Sequence, residues 1–222
     1  MLRAIAFIVL IMLSYPAMAQ TGPNPTEIAA YSGLLKAAHE GNLVEIARLV
    51  ASGGDLNQRD SHGRTAVHVA AFAGKPEAVV ALGKAGADMN ALEAGRYDAV
   101  TIASVANDTT TLSAALAAGN KSDNITSVWV GNALIAAAHE GNHESIGILI
   151  AAGSKLDHIN SLGWTAVIES IVLGDGGPRH QQSLKLLLDA GANRTIAGSH
   201  GRLPVDLARD LGYDAMVSLL QD

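Results

Sequence analysis

His139, Glu140 and His143 stand in the spacing His-Glu-x-x-His. On a continuous helix that spacing puts two imidazoles on one face to hold zinc, with the glutamate as general base. A zinc-dependent hydrolase is therefore the enzymatic alternative for this chain. Gly141 and Asn142 lie inside the motif, however, and such a pair favours a turn over a helix interior. His39-Glu40-Gly41-Asn42 repeats the phrase with Leu43 where the second histidine would stand, and no third ligand is evident. The phrase reads as a helix-turn signal, so no catalytic residue, metal or cofactor is expected. Gly174-Asp175-Gly176-Gly177 resembles a phosphate nest, but no lysine-serine pair follows it, and a flexible surface loop is the expectation. The remaining histidines are scattered.

The elements that carry these residues recur along the chain. Leu35-Lys-Ala-Ala-His-Glu-Gly-Asn42 returns as Ile135-Ala-Ala-Ala-His-Glu-Gly-Asn142. Gly63-Arg-Thr-Ala-Val-His-Val-Ala-Ala71 is echoed from Gly163 and again from Gly201. A glycine closes each apolar helix-like stretch at 53, 86, 119, 153 and 191, giving gaps of 33, 33, 34 and 38 residues. That period, with the Gly-x-Thr-x-x-His-x-Ala-Ala block, resembles the ankyrin repeat. The resemblance implies an all-α repeat solenoid of about six stacked helix-turn-helix units with short β-hairpin-like loops. Thr65 and His68 match the family's threonine and histidine, which cap and brace the first helix, while Ala66 replaces its usual proline. Gly74 is placed to end that helix.

The units run at about 28–58, 59–90, 91–123, 124–158, 159–194 and 195–222, preceded by a short linker over 20–27. The third unit is degenerate. Asp98-Ala-Val-Thr101 stands at the capping block, Asn107 replaces the interhelical glycine, and Thr109 to Thr111 open a helix with poor formers. It should be the weakest link of the stack. The segment from Gly174 to His180 is an insertion in the fifth unit. Apolar rows such as Ile46 with Leu49, Val79 with Leu82, and Ile146 with Leu149 follow the helical period and make the core.

The amino terminus reads as an export signal. Arg3 supplies a positive charge, Ala4 to Leu13 are apolar, and Ala17-Met18-Ala19 offers a cleavage site. Cleavage after Ala19 would leave a chain that starts at Gln20, its net charge moved from −6 to −7 by the loss of Arg3. A periplasmic or secreted, monomeric protein is expected, without a membrane span once the signal is removed. The absence of cysteine excludes disulfides and thiolate metal sites. An acidic chain with no basic patch does not point to nucleic acid.

Repeat solenoids present an extended concave surface built from loop tips and first helices. The expected function is therefore protein–protein binding, as an adaptor, a stress-defence accessory or a toxin-immunity protein. The candidate contacts at the tips are Arg59, His62, Leu92, Tyr97, Trp129, Leu162 and His200. On the first helices they are Phe72, His139 and Glu140, with Val105, Glu169 and Val172 beside them. Trp129 and Tyr97 stand out because aromatic residues are only 4% of the chain and such rings anchor interfaces. Trp164, directly after a turn glycine, is expected to pack locally.

Overall fold

The computed structural model describes residues 20–222, so the expected export signal lies outside the described residues. Apolar residues recurring every three to four positions, divided by glycine, asparagine and proline, yield pairs of short antiparallel helices. After α1 (Pro25–Ala30), these pairs are α2 (Gly33–Glu40) with α3 (Leu43–Ala51), and α4 (Ala66–Phe72) with α5 (Pro76–Lys84). Next come α6 (Ala99–Val105) with α7 (Thr109–Ala117), and α8 (Ala133–Glu140) with α9 (His143–Ala151). The last are α10 (Ala166–Val172) with α11 (Pro178–Asp189), and α12 (Pro204–Leu211) with α13 (Asp214–Gln221). First helices stack on first helices and second on second, from α2 through α12 and from α3 through α13. Fully buried Ala38, Ala70, Ala103, Ala138 and Ala166 allow that close approach, while Leu82, Leu112, Leu149 and Leu187 fill the space between layers. This is the expected six-unit all-α solenoid. The loops are hairpin-like in path only: among the described residues no strand forms, and a single antiparallel bridge joins Thr126 and Gly131.

Hydrogen bonds tie each loop to the next unit. Within unit two, His68 Nδ1 accepts from the Thr65 amide at 3.1 Å and lies 2.8 Å from Thr65 Oγ1. His68 Nε2 then reaches the carbonyls of Ala91 and Tyr97 in unit three, at 3.0 and 3.1 Å. Burial holds its pKa below the ordinary imidazole value, so this brace is a neutral ring. Tip amides also bond across units, from Ala94 to His62, from Ser127 to Arg96 and from Ser161 to Trp129.

The third unit replaces the missing histidine with a buried acidic cap. Asp98 accepts from the Thr101 amide at 2.8 Å and from Thr101 Oγ1 at 2.7 Å. Its other oxygen accepts from the Asn120 and Asn124 side chains, at 2.8 and 2.9 Å. Asp108 caps α7 in the same manner through the Thr111 amide and hydroxyl. Asn107 takes the left-handed turn at φ 51°. The weakness expected from poor helix formers is thus met by two side-chain caps.

Two other expectations are modified. The linker over 20–27 contains the start of α1, closed by a capping box between Asn24 and Glu27. The insertion, expected as a flexible loop, lengthens α11 by its first turn and is tied down on both sides. Arg179 donates to the Glu140 carbonyl and to Asn142 Oδ1 in unit four, at 2.9 and 2.6 Å. The Tyr213 hydroxyl of unit six donates to the Gly174 carbonyl at 3.1 Å.

Arg64 anchors the amino-terminal end. Its guanidinium, 1% exposed as a residue, pairs with Asp60 at 2.7 Å and with Glu27 of α1 at 2.8 Å, and the Tyr31 hydroxyl donates to Asp60. Removing one partner of a buried pair leaves an uncompensated charge. Arg64→Ala should therefore lower the unfolding free energy by about 3 kcal/mol in urea titrations; a loss below about 0.5 kcal/mol, ordinary for a surface site, would show that the network holds nothing.

Candidate partner-binding surface

The hairpin tips and the inward faces of the first helices enclose a cleft of about 210 Å³ over units three to five. Tyr97, Ser127, Trp129 and Leu162 contribute from the tips. Val105, Ile135, His139, Glu140 and Glu169 contribute from α6, α8 and α10, and Gln20 from the amino-terminal segment. Five candidates from the sequence therefore meet in one place: Tyr97, Trp129, Leu162, His139 and Glu140. Tyr97 and Trp129 are half-buried, and around Trp129 the residues Ile125, Val128 and Val130 are exposed by 40, 42 and 46%. This is an apolar tip bordering a cleft with polar groups at its floor.

Backbone strain shapes that tip. The position two residues before the first-helix cap is Gly63, Gly163 or Gly201 in three units, each with φ near 70–80°. Arg96 and Val130 occupy it in units three and four, at φ 66° and 60°. A β-branched residue in the left-handed region is strained. The turn persists because His158 Nε2 donates to the Val130 carbonyl at 2.6 Å and the Trp129 carbonyl accepts from Ser161 at 2.7 Å.

The other candidates are placed differently. Arg59 donates to the carbonyls of Gly63 and Leu92, bracing two adjacent tips. His62 pairs with Glu27 at 2.9 Å. Phe72 packs against the backbone at Gly22, so the amino-terminal segment covers part of its ring. Leu92 is half-buried beside Arg59, and His200 is exposed on the last tip. Val172, taken as a surface residue from the sequence, is buried with Trp164, Ile168 and Leu162 in a small cluster, where Trp164 packs locally as expected.

His139 and His143 do not share a helix. His139 sits in the last turn of α8, Gly141 takes a left-handed conformation at φ 67°, and His143 opens α9. That turn destroys the one-face geometry a zinc hydrolase requires. His143 lies 3.2 Å from Glu144 instead.

Glu169, named from the sequence only as a neighbour of the surface, proves the unusual group of the cleft. It is 3% exposed. One carboxyl oxygen accepts from Asn160 Nδ2 at 2.7 Å. The other, Oε2, has no hydrogen-bond partner and lies 3.7 Å from His139 Nδ1. Burial pushes its pKa up to about 8, against the smaller opposing effect of Asn160. Burial likewise lowers the His139 pKa, with His180 adding to the effect and Glu140 opposing it. Both shifts favour the uncharged forms of the two groups. A signal for Glu169 existed: it aligns with Val69, a fully buried core position of unit two.

Comparison with known proteins agrees with this architecture. Residues 8–93 match the model of ankyrin repeats (3 copies). The chain belongs to the ankyrin-repeat proteins, a scaffold typically used for protein–protein interaction. It is similar to the ankyrin repeat protein YahD of Escherichia coli (strain K12), with 32% identity over 188 residues, covering 84% of this chain and 92% of that protein. A crystal structure of an ankyrin repeat domain from Acinetobacter baumannii AYE superposes with a TM-score of 0.79 at 36% identity, over 85% of this chain and 95% of that one. A solved structure at 22% identity and TM-score 0.71 shares the fold over 86% of this chain and 97% of that one; it is described as the predatory endopeptidase Bd0816 of Bdellovibrio bacteriovorus in complex with immunity protein Bd3460.

Val130→Gly should relieve the strained turn and raise stability by about 1 kcal/mol; a loss of stability in urea unfolding would show that the valine side chain is needed there. Glu169 sets a pH dependence. Its folded pKa lies above its ordinary value of 4.5, so its contribution is complete below pH 4.5 and is lost as pH rises through about 8. Compared with Glu169→Gln, the natural chain should lose stability across that window, by a few kcal/mol at most, and then run parallel above it. Parallel curves from pH 4 to 9 would contradict a buried, protonated Glu169.

Proposed function

We propose that this protein, exported to the periplasm and acting as a monomer, captures a partner protein on the surface formed by its hairpin tips and first helices. Its role on this reading is that of a stress-defence accessory or a toxin-immunity protein. The observation that carries the reading is the strained tip of unit four. It holds Trp129 and three exposed apolar side chains at the edge of a cleft lined by Tyr97, Leu162 and His139. Aromatic anchors beside a partly desolvated pocket are where binding energy concentrates. The occurrence of a similar fold in a complex of an endopeptidase with its immunity protein supports the finer reading. The apolar segment and Ala17-Met18-Ala19 support export.

Protein recovered from a periplasmic fraction of the source cells should begin at Gln20 and carry its partner through affinity purification. A Tyr97→Ala/Trp129→Ala variant should retain its helical circular-dichroism spectrum and lose the partner by at least about ten-fold. Partner retention by a folded double variant would exclude this surface, and recovery of the intact amino terminus from the cytoplasm would exclude export.

A further inference from the structure

Glu169 is a carboxyl group buried at the floor of the cleft with one oxygen unsatisfied. Buried polar groups are normally paired, and an unpaired one costs free energy that a binding partner can recover. The walls above it are Tyr97, Trp129, Leu162, Val105 and Ile135, aromatic and aliphatic surfaces suited to the stem of a long side chain. The cleft of about 210 Å³ is smaller than the roughly 300 Å³ at which pockets accept a drug-sized ligand, so a single side chain fits its scale. The nearest titratable nitrogen, His139 Nδ1, stands 3.7 Å away, beyond hydrogen-bond distance, and leaves that oxygen unpaired.

We propose that this cleft receives one basic side chain of the partner protein, a lysine or an arginine, whose cationic head pairs with Glu169 Oε2 while Trp129 and Tyr97 flank it. This rests on the reading of the surface as a partner site and adds the chemistry of what enters it. A cation over an aromatic face is attracted by the ring, more so when both are desolvated. The net negative charge, −6 for the full chain and one unit more negative once Arg3 is lost, also favours a basic partner surface on approach. Gln20, whose side-chain nitrogen is buried and unpartnered, lines the same cleft and must shift aside on entry. As the cation settles, the Glu169 carboxyl gives its proton to solvent and becomes the counter-ion.

The test uses N-acetyl-arginine methylamide and N-acetyl-lysine methylamide as probes, with N-acetyl-norleucine methylamide as the uncharged control. Binding is read from the Trp129 indole N–H resonance, assigned with Trp129→Phe. The basic probes should move that resonance, norleucine should bind at least about ten-fold more weakly, and Glu169→Gln should weaken the basic probes by a similar factor. Glu169→Gln is isosteric and should be the more stable protein above neutral pH, so its folding is checked by the same spectrum. Equal binding of norleucine, or unchanged binding of the basic probes to Glu169→Gln, would overturn the assignment. Partner capture separates the two readings. Capture lost in Tyr97→Ala/Trp129→Ala but untouched by Glu169→Gln overturns the cation site alone. Basic probes bound through Glu169 while that double variant still captures its partner would uphold the cation site and overturn the partner surface.

Discussion

No helix pair in this chain can bury its own apolar face; the next pair must cover it. Everything else in the molecule accommodates that constraint. Alanines at fully buried positions set the distance between first helices, and leucines fill the layer between first and second helices. Because the apolar contact is local, the chain needs polar devices to fix the angle of each unit on its neighbour. His68 serves between units two and three, Asp98 with Asn120 and Asn124 within and beyond unit three, and Arg64 at the amino-terminal end. Buried ion pairs such as that of Arg64 contribute little net stability, yet losing one partner leaves an uncompensated charge.

The architecture was legible because it rests on repetition. A period of 33 residues, turn glycines and apolar rows lead to the helix pairs, and Gly141 already showed that His139 and His143 would part company. Trp164 followed its position after a turn glycine. What escaped was whatever depends on which residue meets which across units. Asp98 looks like a loss from the capping block, yet it caps its helix through oxygen atoms that a sequence pattern does not place in space. The insertion looked loose because glycine is permissive, whereas the groups that hold it, the Glu140 carbonyl, Asn142 and Tyr213, lie far away in sequence.

The site was legible in part for the same reason. Tyr97, Trp129, Leu162, His139 and Glu140 come together because tips and first helices must line one surface. Arg59, His62 and Phe72 occupy comparable positions but are spent on the scaffold, bracing neighbouring tips or resting against the amino-terminal segment. Position alone does not separate a braced charge from one available to a ligand. Glu169 shows the converse: an acidic residue where a sibling unit has a core valine, and hence a group whose environment rather than its identity makes it unusual.

The insertion in unit five has a consequence for how the solenoid comes apart. In a stack held only by neighbouring faces, units can fray one after another from the ends. Here a single loop grips the turn of unit four with Arg179 and is itself gripped by Tyr213 of unit six. Units four, five and six are thereby joined by more than their apolar faces, and two of the three units that line the cleft lie on this seam. Thermal opening that begins at the last helix meets this seam before it can loosen the floor on which Glu169 sits, so the chain can melt at its edge and still keep its recognition surface in shape.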